Sequence, residues 1–73
     1  MFGRQPGKLL DVREVDIHGS RFYDLSYALD AAPSQAHAAR LGRESVYADP
    51  RPGDAVTLHL VMGVATRVEK REA

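Results

Sequence analysis

The amino-acid sequence predicts an all-β fold, a small five-stranded barrel with a short helical or irregular connector. Three observations carry that prediction. Residues 21–29, Arg-Phe-Tyr-Asp-Leu-Ser-Tyr-Ala-Leu, alternate with a period of two, the mark of a half-buried strand. Val56, Leu58, Leu60, Met62, Val64, Thr66 and Val68 keep one parity over a long stretch. Glycine and proline punctuate the chain where hairpins need them, at His18-Gly19-Ser20, Pro52-Gly53-Asp54 and Gly63.

The chain has 73 residues, no cysteine, no tryptophan and a formal net charge of zero. That length allows one domain, residues 1–73. Without cysteine there is no disulfide framework, thiolate metal site or cysteine nucleophile. A hydrophobic share of 44% with 27% charged residues fits a folded chain. No apolar run approaches the roughly 18–20 residues that cross a bilayer, and the N-terminus lacks a signal peptide's apolar core, so no membrane partner and a cytoplasmic location are expected.

Taken in order, residues 1–7, with two glycines and a proline, read as a loose N-terminal arm. Leu9 to Ile17 reads as a first strand whose parity changes: Leu10 and Val12 share one face, Val15 and Ile17 the other. A strand cannot change face without an extra residue, which places a β-bulge near Arg13-Glu14. A three-residue loop at His18-Gly19-Ser20 sets Val15 beside Tyr23 and keeps Tyr23, Leu25, Tyr27 and Leu29 on one side. A two-residue loop sets Val15 against Phe22. The three-residue loop is the expectation.

Residues 34–42 carry two readings. Ser34 and Gly42 are placed to cap a short alanine-rich helix, giving a ββαββ order. As a strand the segment alternates His37, Ala39 and Leu41 against Ala38 and Arg40, and two helical turns with an alanine face are marginal. The strand is preferred. Glu44 to Tyr47 is a short helical or irregular connector. Arg51-Pro52-Gly53-Asp54 is a type II turn. The final run is either a hairpin with a three-residue loop at Val61-Met62-Gly63 or one strand kinked at Gly63. Residues 70–73 read as a solvated tail.

This pattern is OB-like or SH3-like. Gly7-Lys8-Leu9-Leu10, Tyr23-Asp24-Leu25, Arg40-Leu41, Glu44-Ser45-Val46 and Pro52-Gly53-Asp54-Ala55-Val56 together resemble the single-domain molybdate-binding and transporter-associated OB family. The resemblance implies an OB-like barrel and, in the molybdate-binding members, an oxyanion site between subunits. Those members carry Ser, Arg and Asn in a short N-terminal motif. Phe2-Gly3-Arg4-Gln5 stands there instead, without a hydroxyl residue. A fainter similarity to small hydrogenase-maturation chaperones runs through Gly53-Asp54-Ala55-Val56, but those proteins need an N-terminal cysteine.

No catalytic constellation is visible: no nucleophile elbow surrounds Ser20, Ser26, Ser34 or Ser45, and no glycine-rich phosphate loop occurs. His18, His37 and His59 lack metal-ligand spacing. The expectation is therefore a non-enzymatic binding module with no cofactor and no metal. The leading ligand class is single-stranded nucleic acid, met by an outward Phe22 beside Arg21, Arg40 and Arg43, since stacking plus phosphate contact needs an aromatic among cations. The alternative is a protein partner or a homo-oligomer, through Phe2, Val61 and Met62. An oxyanion-binding barrel is third and rests on the resemblance.

Overall fold

The computed structural model describes residues 2–71. Five antiparallel strands form one sheet: β1 (Phe2–Ile17), β2 (Ser20–Leu29), β3 (His37–Gly42), β4 (Ala55–Val61) and β5 (Val64–Lys70). A 3-10 turn, Arg43–Ser45, follows β3. The spatial order is β3-β2-β1-β4-β5. Residues 37–42 are thus a strand, as preferred, and the ββαββ order is not adopted. Among the described residues no helix is long and apolar enough to cross a membrane.

The sheet curls without closing into the expected barrel. Among the described residues no ladder joins the two edge strands β3 and β5, and an isolated parallel bridge, Val46 to Val68, ties the connector to β5. The concave face holds the core: Leu9, Leu25, Tyr27, Leu41, Val56, Leu58, Ala65 and Val68.

Residues 2–7 are the first half of β1 and pair with β4, so the loose arm is a strand. Gly7, buried, lies between Leu29 and Val56 where β1 is paired on both sides. Pro6 is tolerated because its carbonyl accepts Asp30 N–H at 3.0 Å, on the β2 side. Its missing N–H points the same way, and the ladder to β4 loses nothing. At the other terminus Lys70 ends β5 and Arg71 N–H donates to Ala55 O at 2.9 Å. The solvated-tail expectation for residues 72–73 lies outside the described residues.

The bulge in β1 falls between Leu9 and Asp11, ahead of the expected Arg13-Glu14. There β1 stops pairing with β4, and the 51–54 turn takes over: Leu9 N–H donates to Asp54 O at 3.0 Å and Gly53 N–H donates to Leu9 O at 2.8 Å. Leu9 and Val12 then both face the core side, while Leu10 is left 44% exposed.

Both hairpin loops have two residues, so the expected three-residue loops are corrected. Ile17 pairs with Ser20 and Val61 with Val64. His18 and Gly19 take φ of 50° and 82°, Met62 and Gly63 53° and 80°. Positive φ at both central residues is the type I′ arrangement, whose twist matches that of the strands it joins. The change of loop length reverses a face. Val15 now pairs with Phe22, and Tyr23 lies opposite Glu14. The final run is a hairpin, with Leu58 opposite Val68 and an irregularity beside Leu60.

The Arg51–Asp54 turn forms as expected, with Asp54 N–H donating to Arg51 O at 3.2 Å and Gly53 at φ 91°. Asp54 Oδ2 accepts from the Tyr47 hydroxyl at 2.5 Å and from Arg51 N–H at 3.1 Å. These bonds hold the connector to the turn that docks on Leu9.

Candidate nucleic-acid interface

Alternation along β2 decides what the convex face presents. Leu25 and Tyr27 are buried, so Phe22, Asp24 and Ser26 point outward. Three cross-strand rows follow over β1, β2 and β3: Val15–Phe22–Gly42, Arg13–Asp24–Arg40 and Asp11–Ser26–Ala38. Phe22 is half-buried and faces Gly42 on the β3 side, where the Glu44 carboxylate takes the space that a Cβ would fill. An open hollow of about 440 Å³ lies alongside, lined in part by Arg21, Phe22, Gly42, Arg43 and Glu44.

Of the four residues expected from the sequence, Arg21, Phe22 and Arg43 are brought to that hollow. Arg40 is on the same face one row away. It donates two hydrogen bonds to Asp24, Nε–Oδ1 at 2.6 Å and Nη2–Oδ2 at 2.9 Å. This two-pronged contact is the main reason the Asp24 carboxyl lies below the ordinary aspartate range, with the charges of Arg40 and Arg13 adding to it against partial desolvation. It also raises the Arg40 guanidinium. Arg21 reaches Glu14 at 3.4 Å. Arg43 and Arg13 make no ion pair among the described residues. Sequence reading missed Arg13, along with Val15 and Ile17 as the half-buried apolar continuation of the Phe22 row. A two-residue loop supplies the signal for all three, because it alone carries them to the Phe22 face.

The second expected surface also changes. Met62 is 75% exposed at the β4–β5 tip, and Val64, which was missed, is 63% exposed beside half-buried Val61. Phe2 is placed opposite Val61 by register, and its side chain lies outside the described atoms.

The three histidines are dispersed. His18 is in the first loop, His37 stacks on Tyr27 with ring centroids 5.3 Å apart, and His59 on β4 hydrogen-bonds Glu69. Among the described residues no group of three or more His, Asp or Glu side chains is placed to hold a metal ion. No family model, curated protein or solved structure matches this chain.

Proposed function

We propose that the chain is a small binding module for single-stranded nucleic acid, with Phe22 as its stacking platform. The observation that supports this most directly is Phe22 on the convex face, opposite Gly42 and beside a hollow that also takes Arg21 and Arg43. A base stacked on an aromatic side chain gains about 1–3 kcal/mol and is held without sequence preference. Arg43 and Arg13 supply phosphate contacts nearby, whereas Arg40 and Arg21 have carboxylate partners and contribute less. Glu44, whose carboxylate lies over Gly42 beside Phe22, opposes phosphate.

Fluorescence anisotropy with a labelled decathymidylate at low salt tests the reading. Phe22→Ala should weaken binding about tenfold to a hundredfold, Glu44→Gln should strengthen it modestly, and Phe22→Tyr should keep it. Equal affinity for Phe22→Ala and the parent chain would sink the proposal.

Exposure of Met62 and Val64 at the hairpin tip favours a second reading, self-association through that tip. Sedimentation at rising concentration should then show association that Met62→Asp abolishes.

A further inference from the structure

At the Phe22 end of the convex face Arg40 is committed to Asp24, which leaves Arg13 and Arg43 as the cations without ion-pair partners among the described residues. A strand stacked there needs its remaining phosphates neutralised elsewhere. The same face continues along β1 onto β4 and β5, where the balance is different.

Outward positions of this second half form their own rows. Arg4–His59–Arg67 spans β1, β4 and β5, followed by Pro6–Thr57–Glu69, with Lys8 opposite Ala55 beyond. Arg4, Lys8 and Arg67 are exposed, and none makes an ion pair among the described residues. Of the carboxylates nearby, Asp30 is met by Arg71 at 3.4 Å, while Glu69, hydrogen-bonded to His59, keeps its negative charge beside Arg4 and Arg67. Register sets Arg4 and Arg67 on either side of His59, over one stretch of surface. A chain of zero net charge has thus collected three cations without ion-pair partners on one half of one face. An open hollow of about 470 Å³ lined by Gly3, Arg4, His59, Leu60, Val61 and Thr66 runs along the row.

We infer that the Arg4–His59–Arg67 row, with Lys8, is the phosphate track for a single strand whose bases stack at Phe22. This rests on the stacking reading above and adds the course of the backbone. Along β1 the path from Arg4 to Val15 is at most about 36 Å at ~3.3 Å per residue. A decanucleotide falls within the roughly 4–16 nucleotides that an OB fold occupies.

The test titrates isotope-labelled full chain with decathymidylate and, separately, with an abasic phosphodiester decamer, following amide and arginine Nε–H signals. Decathymidylate should move Phe22, Arg4 and Arg67, and the abasic decamer only Arg4, Arg67 and their neighbours. Anisotropy against salt gives a second measure. Each lost phosphate contact lowers the log–log slope by about 0.7 for a single strand, so Arg4→Gln/Arg67→Gln should reduce it by about 1.4. Both positions are exposed, and an unchanged amide spectrum checks that the variant folds. If decathymidylate moves Phe22 alone and the slope is unaltered in the double variant, the track is wrong while the stacking platform stands. If it moves neither region, the nucleic-acid reading fails and takes the track with it. A response at Arg4 and Arg67 to a short polyglutamate peptide but not to decathymidylate would overturn both, and make the row a docking surface for acidic protein segments.

Discussion

Gly7→Ala should destabilise the chain sharply although it adds a single methyl group. A Cβ at Gly7 would lie 2.6 Å from the Ala28 carbonyl oxygen and 3.0 Å from Leu58 Cδ1. The leucine methyl can rotate away, but the carbonyl belongs to a strand paired with β1 through Lys8 and Ala28. Relief therefore requires β1 and β2 to move apart where β1 is also held by β4. Overpacking of this kind costs about 1–3 kcal/mol, and a rigid backbone obstacle places it in the upper half. Neither Gly7 nor Gly3 has a left-handed φ, so alanine is allowed by the backbone at both. Loss of unfolded-state freedom returns about 0.4–1 kcal/mol in each case. The net for Gly7→Ala is about 1–2.6 kcal/mol, or a Tm lower by roughly 4–21 °C in a domain of this size. At Gly3 nothing lies within 4 Å of the added Cβ, so Gly3→Ala should leave Tm unchanged or raise it by a few degrees. Thermal unfolding followed by circular dichroism at fixed concentration measures both. A Gly7→Ala Tm equal to that of Gly3→Ala would refute the reasoning.

Met62 holds φ 53° without the local hydrogen bonding that lets asparagine occupy that region, so Met62→Asn should relieve about 1 kcal/mol of strain and raise Tm in the same assay. Carbon-13 titration should place the Asp24 carboxyl below a free aspartate, and Arg40→Gln should return it towards the ordinary value. Because that pKa is lowered in the folded chain, the contribution of the pair is fully present above the unfolded value near 4 and is lost as pH falls through the folded one. Tyr47, pushed far above the ordinary phenol range by burial and by its bond to Asp54, should ionise last in an alkaline absorbance titration, and Tyr47→Phe should remove that late component. Its raised pKa contributes stability below about pH 10, where the unfolded phenol ionises, and this is lost as pH rises through the folded value.

Legibility in the sequence followed the strength of the local signal. Strand β2 was readable because Tyr23, Leu25, Tyr27 and Leu29 alternate without interruption, and the type II turn because Pro52-Gly53 leaves few other conformations. β3 was readable only as a preference, since His37-Ala38-Ala39-Arg40 suits a helix equally and its pairing with β2 decides. The first seven residues misled because Gly3, Pro6 and Gly7 are poor strand formers in isolation. Gly7 is there for close packing against Ala28, and Pro6 because β2 does not extend far enough to need its N–H. Phe22 on the outer face was legible from alternation alone. The clustering of Arg4, His59 and Arg67 was not, because it depends on the registers of β1 with β4 and of β4 with β5.

The loop between β1 and β2 decides the chemistry of the convex face. Three residues there look better on paper because they gather Val15 with Tyr23 and Leu25 into one apolar stripe. That choice would make sense only if the core reached the end of the hairpin, and it does not. Tyr23 is the last residue of β2 packed against the core; beyond it the concave side passes into solvent, where exposed Asp16 lies opposite Arg21, and Glu14 opposite Tyr23 is likewise exposed at no desolvation cost. With the core ending at Tyr23, little rewards Val15 for facing inward, and His18-Gly19 is free to take the tighter turn that matches the strand twist. The consequence is an apolar row, Val15 with Phe22, on the outside of the molecule, followed directly by Arg13, Asp24 and Arg40. A turn selected for its backbone geometry has thereby placed an aromatic ring and its neighbouring cations on one surface.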